Sequence, residues 1–167
     1  MSRNIRRMWT VLATTAGLLA GLTATAQAAV NFQFINVKSV KCMSVAGGST
    51  ANTARIVLAT CNRSATEQVW HQENGDAEGY YRYRNDKSDK CLAVPGGSLT
   101  PGTELIQWTC NGGPEQQWGL NYSDSHFHLE NRNSGLAITP LAGGTIENTR
   151  LVQQAYAGGT DQLWEPN

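Results

Sequence analysis

The sequence of 167 residues contains 13 basic and 13 acidic residues, and three of the basic ones, Arg3, Arg6 and Arg7, lie near its N-terminus. Residues 29–167 therefore carry ten basic against thirteen acidic residues and no basic run. This charge pattern argues against nucleic acid or an anionic membrane surface as a partner. These 139 residues are enough for one domain with a single hydrophobic core.

The N-terminus has the features of a secretion signal. The arginines precede an uncharged stretch of apolar and small residues, 8–24, and Ala26-Gln27-Ala28 matches an A-x-A cleavage site. We therefore expect residues 1–28 to be a signal peptide and the protein to be secreted and extracellular. A membrane anchor is the alternative, but threonines interrupt the stretch and it is short for a bilayer span. Arg6-Arg7 leaves open a twin-arginine type of export signal.

Twelve short strands are predicted in residues 29–167, in three successive units of four. They cover residues 30–37, 42–45, 55–60 and 68–72, then 80–84, 91–94, 104–109 and 116–120, and then 126–130, 136–138, 150–155 and 161–164. The strands are apolar or alternate apolar with polar residues, and turn residues separate them about every ten positions. No stretch after the signal has helical periodicity beyond two turns. The pattern predicts an all-β barrel or sandwich.

Each unit closes on the same motif, Gln-x-Trp. The copies end at Trp70, Trp118 and Trp164, and these tryptophans are 48 and 46 residues apart. A near-constant period of this kind indicates an internal repeat. We place the repeats at about 31–75, 76–122 and 123–166. Because one unit cannot bury its own apolar face, the three tryptophans are predicted to anchor a shared core.

The four cysteines of an exported chain predict two disulfides. Three pairings are possible, and the repeat favours Cys42 with Cys61 and Cys91 with Cys110, each pair 19 residues apart. In the third unit the sequence places Gly135 and Tyr156 at the cysteine positions. Zinc binding is the alternative, but no C-x-x-C is present and the three histidines lack ligand spacing. We therefore predict no metal and no cofactor.

Threefold repetition, a disulfide in each of two units and Gln-x-Trp at the end of each unit resemble the ricin B-chain type lectins. The resemblance covers residues 31–166. It implies a β-trefoil, with three four-stranded repeats around a pseudo-threefold axis, and a shallow carbohydrate pocket in each repeat. In that family an Asp follows the Cys-Leu pair, an aromatic residue stands two positions before the second cysteine, and an Asn precedes the Gln of Gln-x-Trp.

This chain departs from the family pattern in all three units. The Asp position is assigned to Ser44, Ala93 and Ala137. The aromatic position is assigned to Ala59, Trp108 and Gln154. The Asn position is assigned to Glu67, Glu115 and Asp161. Either the carbohydrate sites have been lost, or the carboxylate has moved to the residue before the glutamine.

The second unit is the best candidate site, because it keeps an aromatic side chain for stacking on the apolar face of a sugar. The candidate residues there are Trp108, Gln107, Asn111, Glu115 and Gln116. Weaker candidates in the other units are Ser44, Glu67, Gln68, Gln154, Asp161 and Gln162. The glutamines of Gln-x-Trp are interpreted mainly as partners of backbone groups, because all three units keep them.

No catalytic motif such as G-x-S-x-G, H-E-x-x-H or a P-loop occurs, so we predict no enzyme. Our first hypothesis is a secreted, monomeric carbohydrate-binding protein with degenerate pockets, for galactose- or xylose-containing polysaccharide. The alternative is a secreted β-trefoil that binds or inhibits a protein. Its candidate contact is the third-unit loop, residues 140–148, which the position of Gly143-Gly144 predicts to be longer than its counterparts.

Overall fold

A computed structural model of the protein describes residues 30–167. The predicted signal peptide, residues 1–28, lies outside the described residues. Among residues 30–167, no helix has the length and apolar character that crossing a lipid bilayer requires.

Thirteen strands and six short 3-10 turns make up residues 30–167, with no α-helix among them. The strands are β1 Val30–Phe32, β2 Phe34–Asn36, β3 Lys41–Val45, β4 Ile56–Ala59, β5 Trp70–Glu73, β6 Tyr80–Asn85, β7 Cys91–Ala93, β8 Ile106–Trp108, β9 Trp118–Ser123, β10 His126–Asn131, β11 Ala137–Pro140, β12 Leu151–Gln154 and β13 Trp164–Pro166. The 3-10 turns are Ala46–Gly48, Thr66–Gln68, Pro95–Gly97, Pro114–Gln116, Leu141–Gly143 and Thr160–Gln162. In each Gln-x-Trp motif the glutamine ends a turn and the tryptophan begins a strand.

Six strand positions form a barrel. The first predicted strand is interrupted at Gln33, so β1 and β2 are two halves of it, which raises the count from twelve to thirteen. β1 pairs with β5, β2 pairs with β13, and between these partners the sheet runs β5-β6-β9-β10-β13. Because the path begins and ends on two halves of one strand, the sheet closes on itself and leaves few free edges.

Three hairpins, β3–β4, β7–β8 and β11–β12, cover one end of the barrel. Single backbone bridges join each hairpin to the next around a pseudo-threefold axis. At this axis Glu104 accepts from Arg55 Nε at 2.9 Å and also pairs with Arg150. The arrangement is a β-trefoil, as the resemblance to the ricin B-chain type lectins implies.

The three tryptophans of Gln-x-Trp are fully buried, which confirms the prediction that they anchor the core. Each indole N–H donates to a backbone carbonyl in the second strand of its own repeat. These pairs are Trp70 with Met43 at 3.3 Å, Trp118 with Leu92 at 3.1 Å and Trp164 with Ile138 at 3.3 Å. Buried aromatic and aliphatic side chains from all three repeats pack around them.

Both predicted disulfides are present, Cys42–Cys61 and Cys91–Cys110, with Cα atoms 5.0 and 5.1 Å apart. Each links the second strand of a repeat to the segment that leaves the third strand. In the second repeat this connection fixes the ends of the strand pair that forms one wall of the pocket described below.

The sequence alignment of the third repeat is wrong by two residues at its first cysteine position, whereas Gln154 is the counterpart of Trp108 as expected. Ala137 pairs with Gln154 as Cys91 pairs with Trp108, so Ala137 and not Gly135 is the counterpart of the first cysteine. Gly135 lies in the preceding turn at φ +67°, where the second repeat has Asp89 at φ +59°. The pocket position that the sequence assigned to Ala137 therefore belongs to Thr139.

The expectation of a longer loop in the third repeat is also wrong. Pro140 pairs with Leu151 just as Val45 pairs with Ile56, and the same number of residues separates the two partners in both repeats. Ala142, at φ +53°, adopts the left-handed conformation that glycine adopts in the other two turns. Residues 140–148 thus have the length of their counterparts, and the loop that motivated the protein-binding alternative is not unusual.

Candidate functional site

The second repeat contains a surface pocket of about 560 Å³. One wall is the strand pair β7–β8, in which Ala93 is opposite Ile106 and Cys91 is opposite Trp108. The opposite wall comprises the turns Pro95–Gly97 and Pro114–Gln116. The lining residues are Thr53, Ala93, Val94, Pro95, Gly96, Gly97, Ile106, Trp108, Asn111, Glu115 and Gln116.

Trp108 supplies the flat apolar surface of this pocket. It is the last residue of β8, and 39% of it is exposed, whereas the three core tryptophans are fully buried. The core therefore does not require its ring. An exposed indole beside polar groups can cover the C–H face of a sugar while its neighbours bind the hydroxyls.

Glu115 and Asn111 supply the polar side. Asn111 Nδ2 donates to Glu115 Oε1 at 2.9 Å, and Asn111 Oδ1 accepts from the Gly113 N–H at 2.7 Å. The Asn111 side chain thus holds the carboxylate and the loop together. Within residues 30–167, Glu115 forms no ion pair, so its remaining acceptor capacity is available to a ligand.

Gln116 contacts the pocket but its polar atoms are already used. The side chain is fully buried, accepts from the Asn111 N–H at 3.0 Å and donates to the Thr109 carbonyl at 3.0 Å. Gln68 and Gln162 make the same two contacts in their own repeats. These glutamines therefore tie the loop before each tryptophan to the strand that precedes it.

Gln107, the fifth candidate of the second repeat, does not line the pocket. It is fully buried and its amide donates to the Ser49 and Ala51 carbonyls, both at 2.9 Å. Its oxygen accepts from Ser88 Oγ at 2.6 Å. Because side chains alternate along a strand, Gln107 faces the neighbouring repeat while Trp108 faces the solvent. Gln107 is placed to join the first and second repeats.

The third repeat has an equivalent pocket of about 320 Å³. Gln154, exposed at the end of β12, takes the place of Trp108, and no aromatic side chain lines this pocket. Asp161 lines it, and Asp161 Oδ2 accepts from Thr139 Oγ1 at 3.3 Å. The sequence alignment missed Thr139, because only the strand pairing reveals its position.

In the first repeat the candidate side chains are engaged in other contacts. Ser44 is buried, and its hydroxyl donates to the Val45 carbonyl at 3.4 Å. The Glu67 carboxylate forms an ion pair with Lys87 at 3.5 Å. Ala59 offers only a methyl group at the position of Trp108. Among the three equivalent positions, only the second repeat combines an exposed aromatic ring with a carboxylate that forms no ion pair.

Within the described part of the chain, no group of three or more His, Cys, Asp and Glu side chains is arranged to hold a metal ion. In the second-repeat pocket, Asn111 and Glu115 offer hydrogen-bonding groups and Trp108 offers a ring for stacking.

Comparison with known protein families matches residues 30–164 to the ricin-type β-trefoil lectin domain. This chain belongs to the ricin-type β-trefoil lectin family. A search of curated protein sequences finds no match.

Solved structures of this fold include both stand-alone and appended domains. A designed 3-fold symmetric protein, ThreeFoil, is 28% identical with a TM-score of 0.78, over 81% of this chain and 96% of ThreeFoil. An exo-β-1,3-galactanase from Clostridium thermocellum is 30% identical with a TM-score of 0.78, over 84% of this chain. The present chain covers only 30% of the length of that galactanase.

More distant structures share the fold alone. The C-half of an earthworm R-type lectin, solved in complex with GalNAc, is 13% identical with a TM-score of 0.63, over 82% of this chain and 98% of that one. The Polyporus squamosus lectin, bound to a sialylated epitope, is 18% identical with a TM-score of 0.71, over 85% of this chain and 50% of that one. The family resemblance drawn from the sequence is confirmed by the family match.

Proposed function

We propose that this protein is a secreted carbohydrate-binding module that acts through its second-repeat pocket. Trp108 stacks on the apolar face of a sugar ring, and Glu115 with Asn111 binds the hydroxyl groups. The observation that carries the proposal is the exposed Trp108 ring beside a carboxylate without a basic partner, in a pocket of about 560 Å³.

The proposed ligand is a galactose- or xylose-containing polysaccharide. Membership of a lectin family supports a sugar ligand, and the structure with 30% identity belongs to an enzyme that acts on β-1,3-galactan. Shallow pockets bind single sugars weakly, and a protein with one such site gains avidity only by clustering on a repetitive polymer. A monomer with one effective site is therefore expected to bind polysaccharide weakly.

Secretion is supported by two independent features. Disulfides persist in oxidising compartments, and this protein has two of them. The first 28 residues have the pattern of a cleaved export signal.

The magnitude expected from Trp108 follows from its exposed area. With 39% of the residue exposed and about 250 Å² as the area of a tryptophan, a ligand can cover at most about 100 Å². At about 25 cal/mol per Å² this contributes up to about 2.5 kcal/mol, or roughly 70-fold in affinity. Because a ligand covers mainly one face, we expect Trp108→Ala to weaken binding by about tenfold or more.

The test is calorimetric titration of the secreted protein with β-1,3-galactan and β-1,4-xylan oligosaccharides. Trp108→Ala should weaken binding, whereas Gln154→Ala, the exposed counterpart in the third repeat, should leave it unchanged. Binding that Trp108→Ala does not reduce would move the site to another repeat. A wild-type protein that binds no member of a broad glycan panel would contradict the proposal.

A further inference from the structure

The Glu115 carboxylate lies directly over the loop residue Gly113. A Cβ atom at Gly113 would lie 2.6 Å from Glu115 Oε1 and 2.7 Å from its Cδ, closer than side-chain atoms approach each other. The Gly113 backbone has φ −66° and ψ 155°, which alanine also adopts. The backbone conformation therefore does not require glycine here, whereas the position of the carboxylate does.

The third repeat shows the same relation. A Cβ at Gly159 would lie 2.5 Å from Asp161 Oδ1. Asp161 is held over this glycine and lines the third-repeat pocket, as Glu115 lines the second. Gly113 and Gly159 each stand immediately before the 3-10 turn of Gln-x-Trp.

The first repeat differs at this one loop position. Ala65 stands before its 3-10 turn, where the other repeats have glycine. The Glu67 carboxylate pairs with Lys87, and its Cδ would lie 3.5 Å from a Cβ at Gly48 of the neighbouring turn. Asn62 still bonds the loop through Ser64, as Asn111 does through Gly113, but it makes no bond to Glu67 in the structure.

A basic neighbour alone does not explain this difference. Lys38 reaches the third-repeat turn, as Lys87 reaches the first, and Lys38 Nζ donates to the Gly143 carbonyl at 3.0 Å. Asp161 nevertheless stays over Gly159 and bonds Thr139. In the two repeats with glycine at the loop position, the carboxylate lies over that glycine. In the repeat with alanine there, the carboxylate forms an ion pair with a lysine.

We infer that Gly113 is a positioning residue for the second-repeat pocket: its lack of a side chain lets the Glu115 carboxylate turn towards Asn111 and Trp108, where it accepts sugar hydroxyls. This inference rests on the proposed function. Gly113 thus makes no ligand contact of its own, but it determines the position of the Glu115 carboxylate that accepts hydrogen bonds from the ligand.

The binding test is a double-mutant cycle with β-1,3-galactan oligosaccharide as the probe. Gly113→Ala and Glu115→Ala should each weaken binding by about tenfold, the loss expected when one hydrogen bond to a charged acceptor is removed. In the Glu115→Ala background there is no carboxylate to displace, so Gly113→Ala should have no further effect. An equal loss from Gly113→Ala in both backgrounds, or no loss in the wild-type background where Glu115→Ala does weaken binding, would overturn the inference.

A ligand-free measurement keeps the inference testable if no galactan binding is found. The Asn111 side-chain amide resonance should shift in Gly113→Ala and in Glu115→Ala, because both remove its bond to Glu115. Gly159→Ala is the matched control, since it makes the same substitution in the third repeat. An Asn111 amide that does not move in Gly113→Ala would refute the positioning role, while absence of galactan binding by the wild type would refute only the proposed function for that ligand.

Discussion

Replacing Gln116 by methionine separates a structural role of the Gln-x-Trp glutamine from a role in ligand binding. Methionine keeps the volume of the buried side chain, so little of the effect comes from a cavity. The substitution removes two hydrogen bonds of 3.0 Å and leaves the Asn111 N–H and the Thr109 carbonyl without their partner. Each unpaired group costs about 1–3 kcal/mol, and both lie near the surface, so we expect a loss of about 2–4 kcal/mol.

The assay is urea and thermal unfolding of Gln116→Met beside the wild type. A domain of this size has a stability of about 5–15 kcal/mol, so the loss should be visible as a fall in Tm of about 5–15 °C. Gln154→Met is the matched control, because this exposed glutamine makes no side-chain hydrogen bond in the described residues, and it should change stability by less than about 0.5 kcal/mol. An unfolding midpoint equal to that of the wild type, together with lost sugar binding, would refute the structural role.

Three further measurements test other parts of the structure. Glu104→Gln removes two exposed ion pairs, to Arg55 and Arg150, and should cost about 0.5–2 kcal/mol in urea unfolding at low salt, a difference that 1 M NaCl should reduce. Replacing both cysteines of the second-repeat disulfide by alanine should lower stability by about 3 kcal/mol, and a change below about 1 kcal/mol would contradict this. Burial lowers the pKa of the His128 imidazole, so the unfolded chain binds its proton more tightly and stability should fall as the pH drops below about 6.5. His128→Phe keeps an aromatic ring against Tyr156 and should flatten this pH dependence, and an unchanged slope would exclude His128 as its source.

Prediction from the sequence was accurate where the repeat itself carries the information. The Gln-x-Trp period located three equivalent units. Because equivalent units should form equivalent disulfides, the repeat favoured one of the three possible cysteine pairings. The prediction failed in the third repeat, where Gly135-Leu136 has a leucine in the same place as the Cys-Leu pair of the second repeat and was aligned with it. Strand register depends on hydrogen bonds between Ala137 and Gln154, which are distant in the sequence, so no local pattern could correct the two-residue error.

The candidate pocket shows the same division. The sequence alone determined that Trp108 is the aromatic residue at the outer position of the second repeat and that an acid precedes each Gln of Gln-x-Trp. Only the tertiary structure separated Gln107 from Trp108, because alternate residues of a short strand face opposite sides. The tertiary structure also showed that the three acids have different partners. Glu67 forms an ion pair with a lysine from the neighbouring repeat, whereas Asp161 accepts a hydrogen bond from a threonine and Glu115 accepts one from Asn111. The residue types of this protein fix its fold through a repeated pattern of burial, whereas the availability of each carboxylate depends on side chains that meet only when the three repeats close around their axis.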